Sequence, residues 1–341
     1  MLLRSRLKKE LVNLRISKNK IIIILSLVLL LGLTIQAKYS EDMPEDERLS
    51  SGYSVIRGNM VKIDNYQNIK KYMPNRKYYF LENVEVLQEE DECPQGLCLT
   101  DEYIFISAYS DVHGKLGKIK VYNKTSGELL LTLGMDAHSH LGGIAFDGKY
   151  IWVCNSSKMS LERISYSFIQ HMILENKGGY VDARNLVDIY LVRNIPSTVT
   201  YYHGQLWVAT HSIWTMGTMK GYLYNESSDE LRAIGSFYVP QKVQGVAFSE
   251  MGEVYLSTSY GRRKNSYIKK YNSINDMSKN VKDYQDMLEL PPCSEGIAYE
   301  NGKLYVLFES AGKKYLEGTD GKGRSINPLD KILVIENGAS N

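Results

Sequence analysis

Glu295, Gln244 and Gln95 occupy one position in three copies of a repeated motif, directly ahead of an anchor glycine, where the other two copies have Gly142 and Ser197. Two residues further back the copies read Cys93, His140, Ile195, Lys242 and Cys293. The strand after each copy ends in a polar residue or an aromatic: Tyr109-Ser110, Ser156-Ser157, His211-Ser212, Ser259-Tyr260 and Glu309-Ser310. If these positions converge, Glu295 and His140 form a candidate acid/base pair. Gln95, Tyr109, His211, Gln244, Tyr260, Arg262 and Glu309 would then line the ligand site around them, with Arg263 nearby. A carboxyl held at a narrow axis loses water and keeps its proton to higher pH, which suits general acid/base work. The alternative for Glu295 is a plug, paired with Lys242 or hydrogen-bonded to Gln244.

Other chemistries are weakly signalled. His138 and His140, in DAHSHLGG, would bring a divalent metal to the channel if acidic ligands joined them. The sequence has no HExxH motif, paired-cysteine motif or dense acidic loop. GKKYLEGTDGKGRS (312–325) lacks the order of a phosphate-binding loop and reads as a long loop over the mouth. Of the four cysteines, Cys98 and Cys154 fall mid-strand as buried thiols, whereas Cys93 and Cys293 hold equivalent positions and could pair.

The elements that must position these residues are the repeats. They are QGLCLTDEYIFISAYS, GGIAFDGKYIWVCNSS, STVTYYHGQLWVATHS, QGVAFSEMGEVYLSTSY and EGIAYENGKLYVLFES. Their anchors Gly96, Gly143, Thr198, Gly245 and Gly296 are 47, 55, 47 and 51 residues apart, the period of a four-stranded propeller blade. The first and third copies are followed by two more strand-like runs, while the second and fourth carry helix-like charged insertions, LERISYSFIQHMILENK and INDMSKNVKDYQD. The fifth copy offers only KILVIE, so YYFLENVEVL (78–87) is expected to supply its missing outer strand and close the ring. The expected fold is therefore all-β, a five-bladed propeller over 78–338. In it the repeated residues serve inter-blade packing and the polar exceptions serve function.

The N-terminus reads differently. Residues 1–20 hold seven Lys/Arg against one Glu, so a net charge of +2 for the whole chain leaves the remainder acidic. An uncharged run from Ile21 to Ile35 follows. A basic leader (1–20), a single transmembrane signal anchor (21–37) and a polar stalk (38–77) place the propeller outside the cytoplasmic membrane. Signal-peptide cleavage after Ala37 is the alternative. The remaining basic residues are scattered among acids, which argues against a nucleic-acid surface.

CPQGL (93–97) leading into EYIFISAYS, then KIKVYNKTSGELL and later SEGIA (294–298), resemble extracytoplasmic bacterial β-propellers of the YncE-like and lactonase-like class. They also resemble, more narrowly, the five-bladed glutaminyl cyclotransferases. The narrower resemblance implies Glu295 as the acid/base that cyclises an N-terminal glutamine. HSHLGGIA and KVQGVAF replace the glycine-aromatic pattern expected of that family in the middle blades. The reading is a membrane-anchored propeller that binds a small molecule, glycan or peptide at its mouth. The alternatives are a cyclotransferase-like or metal-dependent hydrolytic enzyme, and a scaffold for envelope proteins.

Overall fold

In the computed structural model, which describes residues 66–336, the apolar runs pair as five sheets. In chain order the strands are β1 (Tyr78–Phe80), β2 (Glu92–Leu99), β3 (Tyr103–Ser110), β4 (Gly117–Asn123), β5 (Leu129–Met135), β6 (Ile144–Phe146), β7 (Tyr150–Asn155) and β8 (Ser160–Ser165). They continue with β9 (Gly179–Asp182), β10 (Asp188–Leu191), β11 (Thr198–Tyr202), β12 (Gln205–Ala209), β13 (Gly217–Asn225) and β14 (Glu230–Val239). The last are β15 (Val243–Phe248), β16 (Val254–Thr258), β17 (Ser266–Tyr271), β18 (Asp286–Leu290), β19 (Ser294–Glu300), β20 (Lys303–Phe308) and β21 (Leu333–Glu336).

Blade 1 is β2-β3-β4-β5, blade 3 is β11-β12-β13-β14 and blade 4 is β15-β16-β17-β18. Blade 2 is β6-β7-β8-β10 and blade 5 is β19-β20-β21-β1. The innermost strands β2, β6, β11, β15 and β19 each touch the next, and β19 returns to β2, so the ring closes at five. Closure is by β1, antiparallel to β21 with Tyr78 opposite Ile335 and Phe80 opposite Leu333. Only three residues of the 78–87 run enter the ladder, while Val84 and Val86 are buried beside Tyr305 and Val334.

The anchor glycines are required by how near the inner strands come to one another. A Cβ on Gly143 would stand 2.3 Å from the Val199 nitrogen, and one on Gly296 would stand 2.6 Å from the Gln95 carbonyl oxygen. Both are closer than real Cβ atoms approach, so a side chain there would push two blades apart. Between blades the apolar faces form continuous clusters, such as Trp152, Tyr190, Leu206 and Val208 between blades 2 and 3.

One insertion departs from expectation. LERIS (161–165), read as the start of a helix-like insertion, lies in strand β8; the helix spans only Tyr166–Glu175, capped by the Ser165 side chain. The alternation of Leu161 and Arg163 against Glu162 and Ile164 satisfies two sheet faces, and pairing with β7 and β10 outweighs helical propensity there. The chain then adds β9 in parallel to β5, a fifth strand on blade 1 that the sequence did not signal. In blade 4 the helix is Ile274–Lys279, capped by Ser273.

Residues 66–72 already pack on the ring. They form helical turns that bury Ile69, and with it Met73, in the cluster containing Leu290, Leu304 and Leu333. The basic leader, the apolar run 21–37 and most of the expected stalk lie outside the described residues. Among the described residues no helix is long and apolar enough to cross a membrane.

Candidate functional site

The polar exceptions in the repeats are aimed by β-bulges. Register slips between Pro94 and Gly96, between Val243 and Gly245, and between Ser294 and Ile297. Gln95, Gln244 and, with Gly296, Glu295 are left out of the ladder, and a bulge of this kind re-aims the side chain it frees. The chain enters two of these strands through non-glycine residues with left-handed backbone, Lys242 (φ 67) and Cys293 (φ 69).

Each freed glutamine reaches a neighbouring blade, Gln244 the bulge residue of β19 and Gln95 the residue just past β20. Gln244 Nε2 donates to Glu295 Oε1 at 2.8 Å, and Gln95 Nε2 donates to Glu309 Oε2 at 2.8 Å. The two carboxyls lie close enough to titrate together. Glu295 is buried and Glu309 is half-buried. Burial raises the Glu295 carboxyl well above the usual carboxylate range, and the Glu309 charge adds to the effect. Glu309 is raised by burial too, against the opposing pull of the Tyr315 hydroxyl, the Lys314 charge and Gln95. Two such groups titrate as a pair that holds its protons more tightly than isolated carboxyls do.

The loop at 312–325 lies at this mouth, as expected, but it carries a short helix, Lys313–Glu317. That helix brings two side chains that the sequence reading passed over. The Tyr315 hydroxyl opposes the rise of the Glu309 carboxyl, and the Lys314 ammonium bonds the Tyr109 hydroxyl. Their sequence signal was one aromatic among basic residues inside a glycine-rich stretch, indistinguishable from an ordinary surface loop. Tyr109 stacks on His140 with ring centroids 4.5 Å apart and planes 11° apart. His140 is thus brought to the edge of the site as an exposed stacking ring rather than to Glu295.

The other expected ligand residues separate into near and far. His211 is half-buried with Nδ1 3.2 Å from the Val243 carbonyl oxygen, beside Gln244; burial lowers its imidazole. Tyr260 is exposed, with the Lys242 ammonium over its ring, so Lys242 does not pair with Glu295. Arg262 is buried and fully engaged within the protein. It donates to the Lys314 and Gly323 carbonyls at 3.0 and 2.6 Å and to both Asp320 oxygens at 2.7 and 2.6 Å, with its guanidinium over Tyr315. These contacts tie the Lys313–Glu317 helix and the chain after it to blade 4.

Among the described residues the four cysteines are free thiols, with Cys93 and Cys293 in one buried cluster with Tyr315. Burial pushes the Cys93 thiol up to about 12, which leaves it a poor nucleophile. No three His, Cys, Asp or Glu side chains among the described residues are grouped to hold a metal ion. A cavity of about 410 Å³ lies elsewhere, on the outer half of blade 1, lined by Glu89, Glu92, Lys115, Lys118, Lys120 and Tyr180.

No protein-family model and no curated protein sequence matches the chain. The YncE-like and lactonase-like resemblance therefore has no family match behind it, and the propeller fold is what stands. Similar solved structures include a Myxococcus xanthus glutaminyl cyclase, 11% identical, covering 76% of this chain and 96% of its own, with a TM-score of 0.43. A chain of Kuenenia stuttgartiensis hydrazine synthase is 12% identical over 67% of this chain and 58% of its own, at a TM-score of 0.39. A chain of a nidogen/laminin complex is 12% identical over 64% of this chain and 73% of its own, at a TM-score of 0.39. At these levels the likeness is one of fold.

Proposed function

We propose that the protein is a membrane-anchored, outward-facing propeller that binds a small molecule, glycan or peptide at the mouth where Glu295 and Glu309 meet. The observation that carries this reading is the neighbouring pair of carboxyls, Glu295 and Glu309, that accept from Gln244 and Gln95. Structural carboxyls are ordinarily compensated by cations, whereas this pair accepts from two side-chain amides. Convergent polar groups at a concave mouth are where ligands bind. Glu309, Gln95 and Tyr109 would meet the ligand, and Glu295 behind them would hold the proton.

A second reading is favoured by how tightly the pair holds its protons. A carboxylic acid that stays protonated near neutral pH and a carboxylate beside it are the two halves of general acid/base catalysis. The cyclotransferase-like or hydrolytic alternative rests on Glu295 as that acid and Glu309 as its partner. His140, stacked on Tyr109, would shape the pocket.

The test is a ligand screen by thermal shift on the full-length chain, using neutral oligosaccharides, N-terminal-glutamine peptides and lactones as probes. A hit that raises the melting temperature in the wild type and not in Glu309→Gln supports the site, and turnover that Glu295→Gln abolishes supports the enzyme. Hits that both variants retain would move the ligand away from the mouth. Anchoring through 21–37 predicts that protease added to spheroplasts digests the propeller; a protected propeller would overturn it.

A further inference from the structure

The mouth-side connections differ in charge around the ring. Around blades 3 and 4 they are 192–197, 210–216, 240–242 and 259–265, which hold Arg193, Lys242, Arg262, Arg263 and Lys264 and no Asp or Glu. Across the mouth, 88–91 and 111–116 of blade 1 hold Glu89, Glu90, Asp91 and Asp111 against one lysine, Lys115. The basic connections are also where large apolar side chains stand out of the fold. Trp214 is 83% exposed, and Ile195, Met216 and Tyr260 are half-exposed. These segments are tied together into one surface. Thr210 Oγ1 donates to the Ile195 carbonyl at 2.7 Å, the Lys242 amide to the Ser212 carbonyl at 2.8 Å, and Gln241 Nε2 to the Trp214 carbonyl at 2.7 Å. The Lys242 ammonium lies 5.3 Å from the centre of the Tyr260 ring.

The place where the chain joins the ring is a second, independent observation. Tyr66 bonds Asp330, Asn68 Nδ2 donates to Asn327 Oδ1 at 3.4 Å, and Asn327 Nδ2 donates to the Tyr72 hydroxyl at 2.7 Å. Asn327 and Asp330 belong to the insertion between β20 and β21, which lies at the mouth. The segment leading back to the apolar run 21–37 therefore joins the propeller on its mouth side.

We propose that this rim is a membrane-docking surface: Trp214, Ile195 and Met216 enter the headgroup boundary of an anionic bilayer, and Arg193, Lys242 and Lys264 meet its phosphates. Indole and phenol rings settle at that boundary because each has an apolar body and a polar tip, and cations beside an anionic surface add attraction. A fixed, water-exposed indole among cations, with no acid in the same connections, is suited to that surface. The acids of blade 1 are repelled by it, so the ring docks tilted onto blades 3 and 4. The inference rests on reading 21–37 as an anchor, which puts a bilayer on the side where the chain enters.

The test places the full-length chain in phosphatidylglycerol vesicles whose acyl chains carry bromine, a quencher that acts at contact range. The chain has three tryptophans, and Trp152 and Trp207 are buried, so Trp214 is the one lipid can reach. Brominated lipid should quench part of the emission. The quenching should vanish in Trp214→Phe and fall severalfold when Arg193→Glu and Lys264→Glu are combined, two exposed positions away from the carboxyl pair. Equal emission with and without bromine overturns the proposal, as does quenching that Trp214→Phe or the charge-reversed variant keeps in full. Emission that shifts with protein concentration in detergent, and not with lipid, assigns the rim to a second copy and overturns it too. Alkaline carbonate extraction of the vesicles reads the anchor separately. A chain that washes off sinks the anchoring reading, and quenching by vesicles added to that chain then decides the rim by itself.

Discussion

Two carboxylates in this protein are withdrawn from water to the same degree, and they are handled in opposite ways. Glu92, on the first strand of blade 1, is 2% exposed, and so is Glu295, on the first strand of blade 5. Glu92 accepts from the fully buried Lys120 at 2.5 Å, from Lys118 at 3.1 Å and from the Gln88 amide at 2.9 Å. The network runs on through Lys118 to Glu89 and through Lys115 to Asp91, so acids and lysines alternate across the outer half of the blade. Glu295 has an amide and a second carboxyl instead. Burial by itself is therefore a poor guide to function. What distinguishes the mouth is that Glu295 takes its bond from an amide rather than an ammonium, so burial raises its carboxyl against the smaller pull of Gln244 and Lys314. The cavity beside the blade 1 network is the roomier feature, yet its charges are already matched within the protein.

The contrast can be broken at its compensated side first. Glu92→Gln leaves the Lys120 ammonium buried without a counter-charge, and should cost about 3–5 kcal/mol in urea unfolding, as breaking a buried ion pair does. A smaller loss would mean that the Val86 carbonyl and Lys118's other partners absorb the change. Arg262→Met tests the compensated pair that holds the mouth's own scaffolding. Loss of charged bonds to Asp320 should cost about 1.5–3 kcal/mol and also weaken whatever binds near Tyr109. A stability loss with binding intact would separate the insertion from the site.

Glu295→Gln should leave stability near pH 7 within about 1 kcal/mol of wild type, because the isosteric amide keeps its partners and no charge is stranded. Its larger effect is on pH dependence. Because the folded pair holds its proton more tightly than an unfolded Glu, its contribution is full below the unfolded value of about 4.3 and is lost as pH rises through the folded value. Wild type should therefore lose stability relative to Glu295→Gln over that interval, read as the difference in denaturation midpoint. The reverse sign would mean that the pair is compensated after all. Finally, Trp214→Ala, in the mouth-side connection between β12 and β13 and 83% exposed, should change stability by less than about 0.5 kcal/mol. An effect on ligand affinity there would extend the site to blade 3, and none would confine it to blades 5, 1 and 4.

What the sequence determined by itself is the repeating frame. Apolar alternation, turn residues and an anchor glycine are local properties, and each blade needs them because each buries its faces only on its neighbours. That is why five copies, the ring closed by Tyr78–Phe80 and the crowding at Gly143 and Gly296 were legible along the chain. Convergence of Gln95, Gln244, Glu295 and Glu309 was legible as well, since equivalent repeat positions must come together at one end of the channel. Only the tertiary structure decided which of these touch. A bulge moves a side chain by slipping a register, and nothing in a single strand's pattern announces whether Glu295 will meet Lys242 or Glu309. Strand β9 and the Lys313–Glu317 helix were likewise beyond reach, because they lie in insertions that follow no repeat. Their conformations are set by long-range partners: the edge of β5 for one, and Arg262, some fifty residues earlier in the chain, for the other.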